Sequence, residues 1–164
     1  IKFFISQSKQ TLADQTQLNW LINLLKTSNI PPNSLVIEIT HDDALHNLQS
    51  IKAWCNELTN EKVQFCLSRY NPKRDDQNVI ETLPINYLKL DHKLNVELSS
   101  QSIREELKAL VDNAHKLGIE VIGHSVEDAQ TAATLWINGI DFIQGNLIQA
   151  ASVKMDYGFD QAVL

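Results

Sequence analysis

The chain has 164 residues, 43% hydrophobic and 21% charged, with a net charge of -6. This is one domain's length with the composition of an ordinary globular protein, and it carries no basic footprint for long nucleic acid; a small anion in a local pocket is not excluded. No apolar run approaches the roughly 18 residues of a membrane span, and no signal peptide is visible.

Residues 1–5 read as a strand, and the abrupt start without an initiator Met reads as a cut through a larger protein. Residues 14–27 follow as a helix, with Leu18, Leu21, Ile22 and Leu25 on one face and Asp14 with Gln17 as a capping box. After the breaker "IPPNS", "LVIEI" (35–39) is a near-continuous apolar run of the kind buried on both faces of a parallel sheet. Leu45, Leu48, Ile51, Trp54 and Leu58 line the next helix, with "HDD" at 41–43 as its cap and first turn. A strand at 63–67 breaks into the charged loop "SRYNPKRDD", and "INYLKL" (85–90) is another strand. Cys55 and Cys66, in that helix and strand, are too few for a disulfide framework and fit a reducing, cytoplasmic setting.

Ser102 and Glu105 read as a capping box for a helix that turns Ile103, Leu107, Leu110, Ala114 and Leu117 inward and closes at Gly118. Then come a strand at 119–123, a helix at 128–138 stopped by Gly139, and a last strand at 140–145. Alternating strands and helices with buried strands mean a parallel sheet covered by helices. Residues 1–152 hold this pattern, and 153–164 form a C-terminal tail. Six such strands suit a doubly wound sheet or most of a (β/α)8 barrel, which needs about 200 residues or more.

In either fold the carboxyl ends of the strands carry the chemistry. They read Ser6; Glu38 with Thr40 and His41; Ser68 with Arg69; Lys89 with Asp91; His124 with Glu127; and Gln144 with Gly145. Glu38, a carboxylate inside an apolar run, requires a metal, a cation such as Lys89, or strong hydrogen bonds. His41 and His124 both fall at this mouth, though no third ligand for a transition metal is evident. Gly145 serves at least the turn.

The segments "LVIEIT", "LPINYLKLD", "GIEVIGHSVED" and "NGIDFIQGNLI" occur in the order and spacing of the EAL domain family, which the chain resembles over residues 1–152. The resemblance implies a (β/α)8 TIM-like barrel, incomplete here at about six βα units. It also implies binding of cyclic di-GMP, which active members hydrolyse with Mg or Mn. The strand bearing the family's Glu-Ala-Leu signature, with a metal Glu and a ligand-binding Arg, would lie before Ile1.

Carried over residue by residue, Glu38 matches a metal-binding Glu, Lys89 the lysine near the phosphate or attacking water, and Asp91 the following Asp. Gln144 and Gly145 match a late Gln-Gly. Ser6 or a neighbour stands where the family has Asn. Ser68 and Arg69 stand where active members have paired aspartates, and His124 where they have a Glu that acts as general base. Two-metal hydrolysis needs several carboxylates, and one survives in this chain.

The expectation is therefore a catalytically inactive receptor for cyclic di-GMP in bacterial signalling, using no metal cofactor. Its ligand-binding residues would be Glu38, Arg69, Lys89, Asp91, Glu127, Gln144 and Gly145, with Arg69 and Lys89 on the phosphates. The alternatives are a protein-interaction module that binds no nucleotide, and an active phosphodiesterase using His41 and His124. The tail "VKMDYGFDQ" resembles receptor-type members linked to type IV pilus regulation. An open barrel has two sheet edges, so a protein partner or a further segment is expected there.

Overall fold

The computed structural model describes residues 1–75, 77–93 and 98–154. Six strands, β1 (Phe3–Ser6), β2 (Leu35–Thr40), β3 (Gln64–Tyr70), β4 (Tyr87–Leu90), β5 (Glu120–His124) and β6 (Phe142–Gln144), pair in sequence order, every pairing parallel. Between them run α1 (Lys9–Leu12), α2 (Gln15–Thr27), α3 (His41–His46), α4 (Leu48–Asn60), α5 (Val79–Thr82), α6 (Gln101–Lys116) and α7 (Ala129–Ile137). A doubly wound sheet reverses its strand order at a switch point, and this one never does. The fold is an incomplete (β/α)8 barrel, as expected.

The period of two along each strand divides the sheet into faces. Ile37, Ile39, Phe65, Leu67, Leu88 and Val121 point outward into one continuous core with Leu18, Ile51, Trp54, Leu58, Val111 and Leu135 of the helices. The alternate residues Val36, Cys66, Tyr87 and Ile122 form a second, smaller cluster on the inner, concave face. Burial on both faces is the physical reason that "LVIEI" is almost wholly apolar. Each such side chain contributes about 1.5–3 kcal/mol when fully buried. At the two ends of the strand order, Phe4 and Phe142 keep 39% and 48% of their surface exposed.

Several local expectations are corrected. The helix read from residue 44 to 58 is two helices, α3 and α4, separated at Asn47 (φ -135°, ψ 30°), whose side chain donates to the Asp43 carbonyl at 3.1 Å. Its cap is Thr40, whose hydroxyl accepts the Asp43 N–H at 3.2 Å, with Asp42 and Asp43 in the first turn. Asp14 caps α2 through the Thr16 N–H at 2.8 Å, without Gln17.

Ser100, not Ser102, is the N-cap of α6, and Glu105 accepts from Gln101 Nε2 at 3.0 Å, so no capping box forms. Leu117 falls on the C-cap, 43% exposed rather than inward. Gly139, at φ +89°, stops α7 as expected. Of the tail, residues 155–164 lie outside the described residues. Among the described residues no helix is long and apolar enough to cross a membrane.

Candidate functional site

The strands deliver Glu38, Ser68, Lys89 and His124 to a cavity of about 460 Å³ at their carboxyl ends. Loops after the strands add Arg69 and Arg74 on one side and Asp91, His92 and Lys93 on another, with Asp42 from α3. Such a volume suits a small-molecule ligand. Among the described residues four fixed cations (Arg69, Arg74, Lys89, Lys93) face three carboxylates (Glu38, Asp42, Asp91) there. The mouth is thus mildly cationic on a chain whose net charge is -6.

Lys89 Nζ donates to Glu38 Oε2 at 2.5 Å, and the two side chains keep only 10% and 16% of their surface exposed. The same ammonium lies 5.6 Å from the Phe4 ring centroid. A carboxylate so placed needs a cation, and this chain supplies one from the strand two places along. Beside the pair, the Ser68 hydroxyl donates to the Ile39 carbonyl at 3.3 Å, inside the sheet. Burial pushes the Cys66 thiol on the same inner face up to about 12.

β3 runs on past residue 67 through a register shift between Leu67 and Tyr70, with Arg69 at φ +54°. A bulge of this kind re-aims a side chain, and here it carries Arg69 to the cavity rim. Among the described residues Arg69 has no ion-pair partner. Arg74, from the turn Pro72–Arg74, pairs with Asp42 at 2.5 Å. Asp91 Oδ1 accepts the Lys93 N–H at 3.0 Å and lies 3.1 Å from His92 Nδ1, which folds that short segment against the mouth.

The expectation that His41 and His124 share the mouth is overturned for His41. His41 faces away from the cavity, buried against the Tyr70 ring at 4.9 Å between centroids. His124 does line the cavity, its Nδ1 hydrogen-bonded to the Ser125 hydroxyl at 2.7 Å. Burial first, then the Lys89 charge, hold its pKa below the ordinary 6.5. Among the described residues no group of three His, Cys, Asp or Glu side chains is placed to hold a metal ion.

Of the other expected site residues, Gln144 lines a neighbouring hollow of about 440 Å³ with Phe4, Tyr87, Phe142 and the shared Lys89. Glu127 stands outside both cavities and accepts from Asn146 Nδ2 at 3.5 Å. Gly145 is also outside them, held by close packing: a Cβ there would fall 2.1 Å from the Val126 carbonyl oxygen. Ser6 pairs in register with Glu38 at the end of β1. Sequence reasoning missed Arg74, His92 and Lys93, although the charged run "NPKRDD" and the "HK" after Asp91 were visible signals.

Six parallel strands in sequence order, with a charged hollow at their carboxyl ends, define a TIM-like barrel domain, a class that carries its chemistry at that end of the strands. The EAL domain family matches residues 1–151, and the chain belongs to that family. It is 32% identical to the FimX EAL domain of Pseudomonas aeruginosa, whose crystal structure was solved bound to c-di-GMP; the TM-score is 0.90, over 96% of this chain and 65% of that one. The signaling protein YkoW of Bacillus subtilis is 26% identical over 138 residues, 81% of this chain and 17% of that protein. The cyclic di-GMP phosphodiesterase PdeR of Escherichia coli is 26% identical over 148 residues, 90% of this chain and 22% of that protein.

Proposed function

We propose that this chain forms the ligand-binding part of a cyclic di-GMP receptor that holds the dinucleotide without divalent metal and does not hydrolyse it. The observation that carries this reading is the Glu38–Lys89 pair. Metal-assisted phosphodiester hydrolysis needs carboxylates free to neutralise two cations and to generate hydroxide. Here Glu38 is already neutralised by Lys89, Ser68 offers a hydroxyl tied to a carbonyl, and Arg69 brings a permanent positive charge. That donor set does not fit a two-metal centre. The same residues suit phosphate oxygens: Arg69 presents a rigid fork and Lys89 a compact charge.

The family and the FimX structure, whose own ligand is c-di-GMP, support this ligand class. Expected ligand contacts are Arg69 and Lys89 on the phosphates. Asp91, Gln144 and Glu127 are donors and acceptors for base or ribose edges, and the Gly145 turn supports them. A receptor without turnover passes its ligand state to another protein or domain, so a protein partner is part of the proposal.

Calorimetric titration of cyclic di-GMP, first with magnesium and then with EDTA, tests the reading. Equal affinity in both buffers, with the dinucleotide recovered intact, is the expected result. Binding that requires magnesium, or conversion to a linear dinucleotide, would overturn it in favour of a phosphodiesterase. No binding in either buffer would leave a protein-interaction module of EAL fold.

A further inference from the structure

Arg69 holds a left-handed backbone that non-glycine residues avoid, and such a conformation persists only where its surroundings over-determine it. The surroundings are a buried polar cluster under the loop. The Tyr70 hydroxyl donates to Asp75 Oδ2 at 3.1 Å, and the Val79 N–H donates to Asp75 Oδ1 at 2.8 Å. The Asp75 carboxylate, 5% exposed, thereby ties the end of β3 to the start of α5.

Beneath them lies His41, 1% exposed, in the first turn of α3. Its Nδ1 accepts the Asn71 N–H at 3.5 Å, so the neutral ring carries its proton on Nε2. Nε2 lies 3.7 Å from Asp75 Oδ1 and is buried, with no hydrogen-bond partner among the described residues. One residue along, Asp42 pairs with Arg74. The first turn of α3 therefore grips the loop twice, once from below through His41 and once at its rim.

We propose that His41, Asp75 and Tyr70 form a positioning lock that fixes the turn 70–75 against the start of α5 and so presents Arg69 and Arg74 to an anionic ligand in the mouth. This rests on reading the mouth as an anion site. The groups facing His41 are Asp75 and Arg74 from the loop, Tyr70 from β3 and Asp42 from its own helix. Protonating Nδ1 would set one donor against another, the ring against the Asn71 N–H, and release that tie. The Asn71 tie therefore opens on acidification, while the charged ring gains attraction to Asp75. A surface histidine at the mouth would do the reverse, gaining charge and strengthening anion binding as the pH falls.

The test compares wild type, His41→Ala, His41→Asn and Asp75→Ala in the full chain. One readout needs no ligand: amide hydrogen exchange, corrected for intrinsic rates, at Asn71, Arg74 and Val79 with β5 as internal reference. Asp75→Ala and His41→Ala should raise exchange in the loop by about tenfold, the worth of one buried hydrogen bond, while β5 is unchanged. His41→Asn, whose side-chain oxygen replaces Nδ1 as acceptor, should restore protection at neutral pH but lose the rise in exchange expected of wild type between pH 7 and 5.

The second readout is cyclic di-GMP affinity, which should fall about tenfold in both alanine variants. Loop exchange and affinity unchanged in both would overturn the lock. Wild type that binds no cyclic di-GMP would remove the reading of the mouth, while the exchange data would still decide the lock.

Discussion

Replacing Lys89 by Met keeps most of the stem's volume and deletes the ammonium, which leaves Glu38 inside the barrel mouth without its cation. Breaking a buried ion pair by removing one partner costs about 3–5 kcal/mol. The residual exposure of 10% and 16% puts this pair at the lower end, so a loss of about 3 kcal/mol is expected at pH 7.5. The double variant Glu38→Gln with Lys89→Met removes both charges and should lie within about 1 kcal/mol of wild type, because a neutral pair has no desolvated charge to compensate.

The chain's three tryptophans report urea unfolding by fluorescence. In a thermal melt the same loss lowers Tm by about 6–12 °C for a domain of this size. A Lys89→Met variant within about 1 kcal/mol of wild type would refute the reasoning. So would a double variant no more stable than that single one.

Gly145→Ala should lower the free energy of urea unfolding by about 1–3 kcal/mol or more, since its Cβ would meet the Val126 carbonyl oxygen at 2.1 Å; an unchanged midpoint would mean that the turn is not held there. Burial pushes Cys55 and Cys66 up to about 12, so neither thiol should react with Ellman's reagent at pH 8 while the chain is folded, and both should react in urea. Burial holds His41 and His124 below their ordinary 6.5, so the folded chain favours neutral rings and stability should be fully present above that value and fall as the pH drops through it. Each proton contributes at most about 1.4 kcal/mol per pH unit; His41→Asn should flatten the slope measured by urea unfolding from pH 7.5 to 5.5, and an unflattened slope would contradict a buried neutral His41.

The order and kind of the main elements were legible because a parallel sheet writes two-sided burial into its strands, as in "LVIEI", and glycines such as Gly139 stop helices. The choice between barrel and doubly wound sheet was not, because strand order is set by packing between distant elements and not by local pattern. It was the resemblance that settled it. The false capping box arose because Ser99, Ser100 and Ser102 crowd the start of α6, and spacing alone cannot choose among them.

At the site, counting by two from Glu38 puts Thr40 inside and His41 outside. The signal that removes His41 from the mouth was therefore present and overlooked. His124 keeps the inward phase of Ile122, and it is at the mouth. Arg74 and Lys93 were not legible in this way, since no periodicity operates in a loop. Their placement depends on the Asn71 and Asp91 side chains, which accept the Lys73 and Lys93 N–H groups at 3.0 Å and turn each loop.

The bulge and the lock bear on one question, namely why a chain would keep a disfavoured backbone at Arg69. A strained residue and a buried His–Asp–Tyr cluster both cost stability that an apolar loop would not. Local rules are broken together where function, rather than folding, selects the geometry. Here the strained Arg69 and the unpartnered His41 Nε2 meet at one loop, and that loop carries Arg69 and Arg74 to the rim. On the two neighbouring strands Lys89 spends its charge on Glu38, and Arg74 spends part of its own on Asp42, so Arg69 supplies most of the pull on an incoming anion. Removing Arg69 should therefore weaken ligand binding while leaving the fold intact, whereas removing Lys89 should damage both. That contrast is what separates the rim of this mouth from its floor.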